Sequence, residues 1–144
     1  RTELSLVRED PQGHQYFDFS LSPDGRILLL DDLNGRVFRY EIGSGAPPAL
    51  FLAEAASPAW SLDGSKVVYS QLRRRGASSL DYYDGELVVA NADGSSPEPL
   101  FSESYPAGML SPTWSPDGTQ IAFLYGSRNS NALLIAEVPE RLRP

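Results

Sequence analysis

Residues 58–70 read PAWSLDGSKVVYS, and this stretch decides the fold. The pair Asp63-Gly64 separates a short segment that ends in Trp60 from the apolar run KVVY. Asp-Gly is a strong hairpin signal, because glycine readily adopts the positive φ that such a turn requires. The stretch therefore predicts a strand, a tight turn and a second strand.

The same pattern occurs twice more in the chain. Residues 17–31 read FDFSLSPDGRILLLD, and residues 112–125 read PTWSPDGTQIAFLY. The turn aspartates, Asp24, Asp63 and Asp117, are 39 and then 54 residues apart. Repeats of this length indicate an array of similar structural units, each starting with a hairpin.

Further strand candidates follow each hairpin. Third strands are predicted at 36–42, 86–92 and 132–138, and fourth strands at 48–52 and 98–101. The second strands, ILLL, KVVY and IAFLY, are almost continuously apolar, which indicates sheets that are covered on both faces. Small sheets stacked face to face around an axis form a β-propeller.

The sequence therefore predicts an all-β fold, a β-propeller segment of about three four-stranded antiparallel blades. We expect a single segment over residues 1–144, with blades at 15–53, 57–102 and 110–138. Closed propellers have four blades or more. Three blades are then half of a six-bladed ring or a fragment of a larger propeller.

The two ends of the chain indicate how a ring would close. The third unit lacks a fourth strand, because only PERLRP follows Val138. Residues 3–8, which begin ELSLV, have the pattern of a strand that completes another blade. Two chains that exchange this strand would form a six-bladed homodimer, and further blades in a longer parent chain are the alternative. Either arrangement would cover two apolar end faces of about 400 Å² each.

Composition disfavours several classes of function. The chain has 19 acidic and 12 basic residues, and a net charge of −7 is unfavourable for binding nucleic acid or an anionic membrane. It has no cysteine, which excludes a disulfide framework, a thiolate metal site and a cysteine nucleophile. No apolar run approaches the ~20 residues of a membrane span. We expect no nucleic-acid partner and no membrane insertion.

The carboxylates and the single histidine have structural interpretations. The turn aspartates belong to separate blades, whereas a cation or an acid-base pair needs side chains that converge. Residues 31–35, DDLNG, depart from the calcium-loop pattern and predict a plain hairpin turn. His14 has no G-x-S-x-G serine elbow to act with. We therefore predict a non-enzymatic protein with no cofactor, no catalytic residue and no metal ligand.

One connection breaks the repeat, the segment 71–85 with the sequence QLRRRGASSLDYYDG. Loops of this length often carry function, and arginine and tyrosine are enriched at protein interfaces. This connection and Arg128 share one rim of the propeller, and they supply the predicted binding patch: Arg73, Arg74, Arg75, Tyr82, Tyr83 and Arg128. A solvated loop without a binding role is the alternative, and so is a weak cation site at Asp81, Asp84 and Glu86.

The repeat resembles that of a known family. An SPDG turn after an aromatic-rich strand, then an apolar strand and the hairpin NADGSSPEPL at 91–100, is similar to the TolB-like propeller repeat. That WD-repeat-like family also includes the propellers of prolyl-oligopeptidase-type peptidases. The resemblance extends over most of residues 15–138, with departures at Leu21, which replaces tryptophan, and at Leu62, which replaces proline.

The resemblance implies an extracytoplasmic location, periplasmic or secreted. The Arg/Tyr connection at 71–85 and the lack of catalytic residues favour a propeller that binds a protein or peptide. The cationic patch adds an acidic partner to that expectation. Two alternatives stay open. One is an accessory or gating propeller of a larger prolyl-oligopeptidase-type hydrolase, whose catalytic residues would lie on a separate domain. The other is a propeller that binds a small molecule or a cation in its channel.

Overall fold

A computed structural model describes residues 13–32, 34–73, 84–103, 108–127 and 130–144. In these ranges the chain forms strands β1 to β11 and a final 3-10 turn: β1 Tyr16–Leu21, β2 Ile27–Asp32, β3 Arg36–Glu41, β4 Ala49–Ala53, β5 Ala55–Trp60, β6 Lys66–Arg73, β7 Asp84–Asn91, β8 Glu98–Pro99, β9 Gly108–Trp114, β10 Gln120–Ser127, β11 Ser130–Glu137 and the turn Glu140–Leu142. Over the described residues, no helix has the length and apolar character needed to cross a membrane.

The strands form consecutive antiparallel sheets, and each sheet follows chain order. The first contains β1 to β4, the second β5 to β8 and the third β9 to β11. We call these sheets the first, second and third blades. The predicted all-β fold, with meandering antiparallel blades, is confirmed. In the described part of the chain the third blade has no fourth strand, and the strand predicted at 3–8 lies outside the described residues.

The inner hairpin of every blade closes with the same hydrogen bonds. In the third blade, the hydroxyl of Ser115 donates to Oδ1 of Asp117 at 2.6 Å and accepts from the N–H of Gln120 at 2.9 Å. Gly118 has a φ of +70°, the left-handed conformation that favours glycine. Equivalent bonds join Ser22 to Asp24 and Ser61 to Asp63. The prediction that these aspartates hold their own turns is confirmed.

The blades stack face to face, and the central one is covered on both sides. Successive side chains of a strand point to opposite faces, and Val67 and Val68 of β6 both have 0% of their surface exposed. Val67 lies in the core between the first and second blades, together with Leu29. Val68 lies in the core between the second and third blades, together with Ile121. The continuous apolar run of β6 therefore reflects two buried faces, as predicted.

The first and third blades each leave one apolar face exposed. On β1, Phe19 and Leu21 are 69% and 48% exposed. On β11, Leu133 and Ile135 are 72% and 66% exposed. We call these two surfaces the end faces. They correspond to the blade faces that a neighbouring blade covers in the centre of the stack.

Two tryptophans pack between blades, but their indole N–H groups differ in hydrogen bonding. Nε1 of Trp114 donates to the carbonyl oxygen of Ala59 in the preceding blade at 3.2 Å. Nε1 of Trp60, at the equivalent position of the second blade, is buried and has no hydrogen-bond partner among the described residues. The backbone N–H of Trp60 instead donates to Oγ of Ser20 at 3.1 Å. Over the described ranges, the indole of Trp60 therefore makes no hydrogen bond between the first and second blades, whereas that of Trp114 makes one between the second and third.

This difference gives a matched pair of substitutions. Trp114→Phe removes a hydrogen bond, whereas Trp60→Phe removes a buried N–H that has no partner. We expect Trp114→Phe to lower the free energy of unfolding by about 1 kcal/mol more than Trp60→Phe. Urea unfolding followed by circular dichroism measures the difference, provided that both variants keep the wild-type m-value. Equal losses, or a larger loss for Trp60→Phe, would contradict the assignment of these indoles.

The serine of the inner hairpin gives a prediction about pH. The hydrogen bond from Ser115, followed by those from Thr119, lowers the pKa of Asp117 from 3.8 to about 2. Because the folded-state pKa is depressed, the carboxylate stabilises the fold above about pH 4 and loses that contribution as the pH falls toward 2. Ser115→Ala should raise the pKa of Asp117, and NMR titration of its carboxyl carbon measures this. Ser102→Ala, at an exposed serine outside the turn, is the control. If the pKa of Asp117 is unchanged in Ser115→Ala, the hydrogen bond from Ser115 is not what lowers it.

Candidate functional site

The structure describes one member of the predicted binding patch, Arg73 at the end of β6. Its guanidinium donates to Oε2 of Glu86 on β7 at 2.8 Å, and 53% of its side chain is exposed. The other five patch residues lie outside the described residues: Arg74, Arg75, Tyr82, Tyr83 and Arg128. Of the alternative cation ligands, Asp81 also lies outside them and the side chain of Asp84 is not described. The patch as a whole therefore stays a prediction.

Two buried carboxylates on the same rim are bound by donors of the protein. Asp31 accepts the N–H of Asp18 at 2.9 Å and that of Ser57 at 2.6 Å, so it joins the first blade to the start of the second. Burial raises the pKa of Asp31. Asp32 accepts the backbone N–H of Arg36 at 3.0 Å and Nε of the same residue at 2.8 Å. β2 and β3 are antiparallel neighbours, and the N–H of Gly35 donates to the carbonyl oxygen of Asp32 at 3.3 Å, so the predicted hairpin is confirmed for the described residues.

Among the described residues, His14 is not part of a cluster of carboxylates that could bind a metal ion. The ring of His14 lies 4.8 Å from the ring of Phe38, centroid to centroid. Within the described ranges, no group of three or more His, Asp and Glu side chains is arranged to hold a metal ion.

The opposite rim, where the Asp-Gly turns lie, has a cavity of about 560 Å³ between the first and second blades. We call it the first groove. Its volume is within the roughly 300–1,000 Å³ of small-ligand pockets. The lining combines apolar side chains with three carboxylates and one guanidinium: Ile27, Phe51, Trp60, Ala92, Asp24, Asp63, Asp93 and Arg39. The sequence pattern does not single out this groove, because its lining comes from separate segments of two blades.

The carboxylates of the first groove are anionic at neutral pH. Hydrogen bonds from serines of the same turns lower the pKa of Asp24, Asp63 and Asp93 below their ordinary value. All three side chains are exposed, whereas Arg39 is half-buried. The groove therefore combines an apolar wall with excess negative charge.

The corresponding space between the second and third blades, the second groove, is filled by the end of the chain. After β11, residues 139–144 enter it through the turn Glu140–Leu142, and Leu142 is buried in the core between these blades. Nε of Arg141 donates to Oε2 of Glu98 on the second blade at 3.1 Å. Pro144 lies so close to Gly118 that a Cβ atom there would overlap its ring. In the part of the chain that the structure describes, the two grooves thus differ in that a segment of the chain fills the second groove and none fills the first.

A smaller cavity, of about 380 Å³, lies along β11. Its lining includes Phe101, Phe123, Leu134 and Ile135. In the described part of the chain β11 is the outer edge of the third blade. This cavity therefore lies beside the edge with which a fourth strand would pair.

A scan of protein-family models finds no match to this chain. The chain is similar to Tol-Pal system protein TolB of Coxiella burnetii, with 38% identity over 60 residues that cover 42% of this chain and 13% of that protein. Tol-Pal system protein TolB of Thioalkalivibrio sulfidiphilus is 37% identical over 67 residues, which cover 46% of this chain and 14% of that protein. The matched region is thus a small part of each relative.

Solved structures extend the likeness to the fold. TolB from Acinetobacter baumannii superposes with a TM-score of 0.63 and 20% identity, covering 91% of this chain and 32% of that one. Oligogalacturonate lyase from Vibrio parahaemolyticus gives 0.61 and 16%, covering 99% and 41%. An oligogalacturonate lyase in complex with manganese gives 0.55 and 15%, covering 89% and 40%. In sequence and in fold, the three blades are therefore similar to part of a TolB-like β-propeller.

Proposed function

We propose that this chain is a non-enzymatic propeller segment that binds proteins or peptides. The observation that carries the proposal is the pair of exposed end faces. Large contiguous apolar surfaces on soluble proteins mark sites of protein contact. The similarity to TolB proteins supports the same class of function.

The end faces are proposed to contact further blades. Those blades come from a second copy of the chain, which gives a six-bladed homodimer, or from the same polypeptide. Closure around two such interfaces buries about 1,600 Å², the size of a standard protein interface. The edge of β11, which pairs with no strand among the described residues, lies beside a cavity and is the proposed position for an added strand. The sequence predicts such a strand at 3–8.

A charge on one end face tests this contact. Leu133→Glu places a carboxylate in the proposed interface, and Leu62→Glu places one on a side chain that is 64% exposed outside the end faces. We expect light scattering of the 144-residue chain to give a dimer, which Leu133→Glu weakens about a hundredfold or more and Leu62→Glu leaves intact.

A folded wild-type monomer would overturn the homodimer. If the chain is monomeric, the alternative is that further blades of the same polypeptide cover the end faces. Leu133→Glu should destabilise the longer chain and leave the 144-residue chain within about 0.5 kcal/mol of wild type, because its face is exposed there. If neither chain responds to Leu133→Glu, the end face has no blade as a neighbour.

The rim that carries Arg73 is proposed to bind an acidic partner. Arginine supplies charge-assisted hydrogen bonds to carboxylates, and Arg73 is exposed although it is paired with Glu86. In the sequence, Arg73 is followed directly by Arg74 and Arg75 in a chain of net charge −7, and this run of arginines supports an acidic partner.

Replacement of Arg73, Arg74 and Arg75 by alanine tests the rim. We expect weaker affinity for a partner identified by cross-linking and a smaller dependence of that affinity on salt, because exposed ion pairs are screened by ions. Arg26→Ala, at an exposed arginine on the opposite rim, is the control. Unchanged affinity and salt dependence in the triple variant would show that the partner binds elsewhere.

An extracytoplasmic location is part of the proposal. Its support is the resemblance to the TolB family, which the curated relatives named Tol-Pal system protein TolB strengthen. Fusion of the parent protein to a reporter that folds only outside the cytoplasm provides the test.

The lyase neighbours define the competing enzymatic function. At 16% and 15% sequence identity, the likeness of these lyases to this chain is one of fold. A shared fold alone does not establish activity. Incubation of the chain with oligogalacturonate and manganese tests it, and release of an unsaturated product would overturn the non-enzymatic proposal. The accessory role in a larger hydrolase would gain support from a catalytic domain in the parent polypeptide.

A further inference from the structure

We propose that the first groove binds a short peptide segment of a partner protein, one that presents a leucine-sized apolar side chain beside basic residues. The groove lies on the rim opposite to Arg73, so the proposal is independent of the rim patch. It is also independent of ring closure, which uses the end faces. In the second groove the chain itself provides such a segment, residues 139–144.

Equivalent residues build the two grooves. The N–H of Ile42 bonds to the carbonyl oxygen of Arg26 at 2.8 Å, and that of Ala92 bonds to Ser65 at 3.0 Å, so Ile42 and Ala92 hold matching positions. Arg39 on β3 precedes Ile42 by three residues, and Val89 on β7 precedes Ala92 by three. Arg39 of the first blade therefore corresponds to Val89 of the second. The two blades thus present the same strand position to the two grooves.

The third blade extends this register to the end of the chain. The N–H of Val138 bonds to the carbonyl oxygen of Thr119 at 2.8 Å, so Val138 is the counterpart of Ala92. After Ala92 the chain turns outward at Asp93-Gly94 toward β8, whereas after Val138 it turns into the second groove. Residues 139–144 therefore fill the second groove, whereas the outer turn of the second blade packs Gly94 against Phe51 at the side of the first groove and leaves the cavity beside it.

The contacts in the second groove define the kind of peptide that fits between blades. Leu142 is 3% exposed and shares one core with Val89 and Leu100. Arg141 forms an exposed ion pair with Glu98 on the preceding blade. In the first groove the corresponding apolar wall includes Phe51, and the cavity of about 560 Å³ has room for such a side chain. Burial of the leucine supplies most of the affinity, because exposed ion pairs contribute little.

The charges of the first groove select a basic segment. Asp24, Asp63 and Asp93 outnumber the single guanidinium of Arg39, and the chain carries a net charge of −7. Complementary charge accelerates encounter and disfavours acidic partners. A basic peptide with one large apolar residue would place that residue against the apolar wall of the groove and its basic residues beside the carboxylates.

The probe is the capped peptide VPERLRP, the sequence of residues 138–144. Titrated into the full chain and followed by NMR, it should shift the amide signals of Gly64, Ala92 and Asp93 in a saturable manner below about 1 mM. Serine in place of leucine should weaken binding about tenfold or more. Glutamate in place of both arginines should also weaken it, most strongly at low salt.

A matched pair of protein variants locates the site. Ala92→Phe fills the groove and should abolish binding. Ala46→Phe adds the same ring to an exposed loop on the same rim and should leave binding unchanged. The peptide variants keep the protein unaltered, so they test the proposal even if Ala92→Phe impairs folding.

Several results would overturn the proposal. No saturable shift up to about 1 mM, or equal binding of the serine peptide, would exclude the apolar anchor. Shifts at Gly118 and Thr119 in place of Gly64 would show that the peptide displaces the chain's own end from the second groove. Conversion of a dimer into a monomer by Ala92→Phe would identify a second copy of this chain as the occupant.

Discussion

The need to cover both faces of every sheet governs this structure. An antiparallel sheet can leave one face in water when its strands alternate in polarity, but β6 places valines on both faces. Full burial of such a side chain contributes about 1.5–3 kcal/mol. The second blade receives this contribution on both sides and its neighbours on one side. The stability of each blade therefore depends on the blades beside it more than on its own hydrogen bonds.

Polar links complement the apolar cores and fix how the blades meet. Asp31 joins the first blade to Ser57 of the second, and the hydroxyl of Ser70 donates to the carbonyl oxygen of Met109 in the third at 2.6 Å. The accepting carboxylate of Asp31 and the donating hydroxyl of Ser70 are both buried. A change in the angle between blades would therefore break a hydrogen bond that water cannot replace. These links lie away from the Asp-Gly turns, which bond within their own hairpins. The rim away from the turns thus joins the blades by buried polar bonds, and on the rim of the turns the described residues leave the first groove open.

The features predictable from sequence are those whose interactions are local. The Asp-Gly turns and the apolar second strands depend on residues close in the chain, and the structure has them where the repeat places them. The first groove is not predictable in this way, because Arg39, Trp60 and Ala92 meet only after two blades have stacked. The burial of Leu142 is also not predictable from the sequence, because it depends on a core that the second blade provides. The link from Asp31 to Ser57 is likewise set by stacking.

The end faces also determine what kinds of assembly are geometrically available. The face of the first blade and the face of the third are different surfaces, so a contact that pairs one of them with the other on a neighbouring copy joins unlike patches, head to tail. Such contacts close into a ring when the rotation from copy to copy divides a full turn, and otherwise they continue into an open helical filament. The angle between adjacent blades, which the polar links hold, therefore decides between a soluble closed particle and polymerisation.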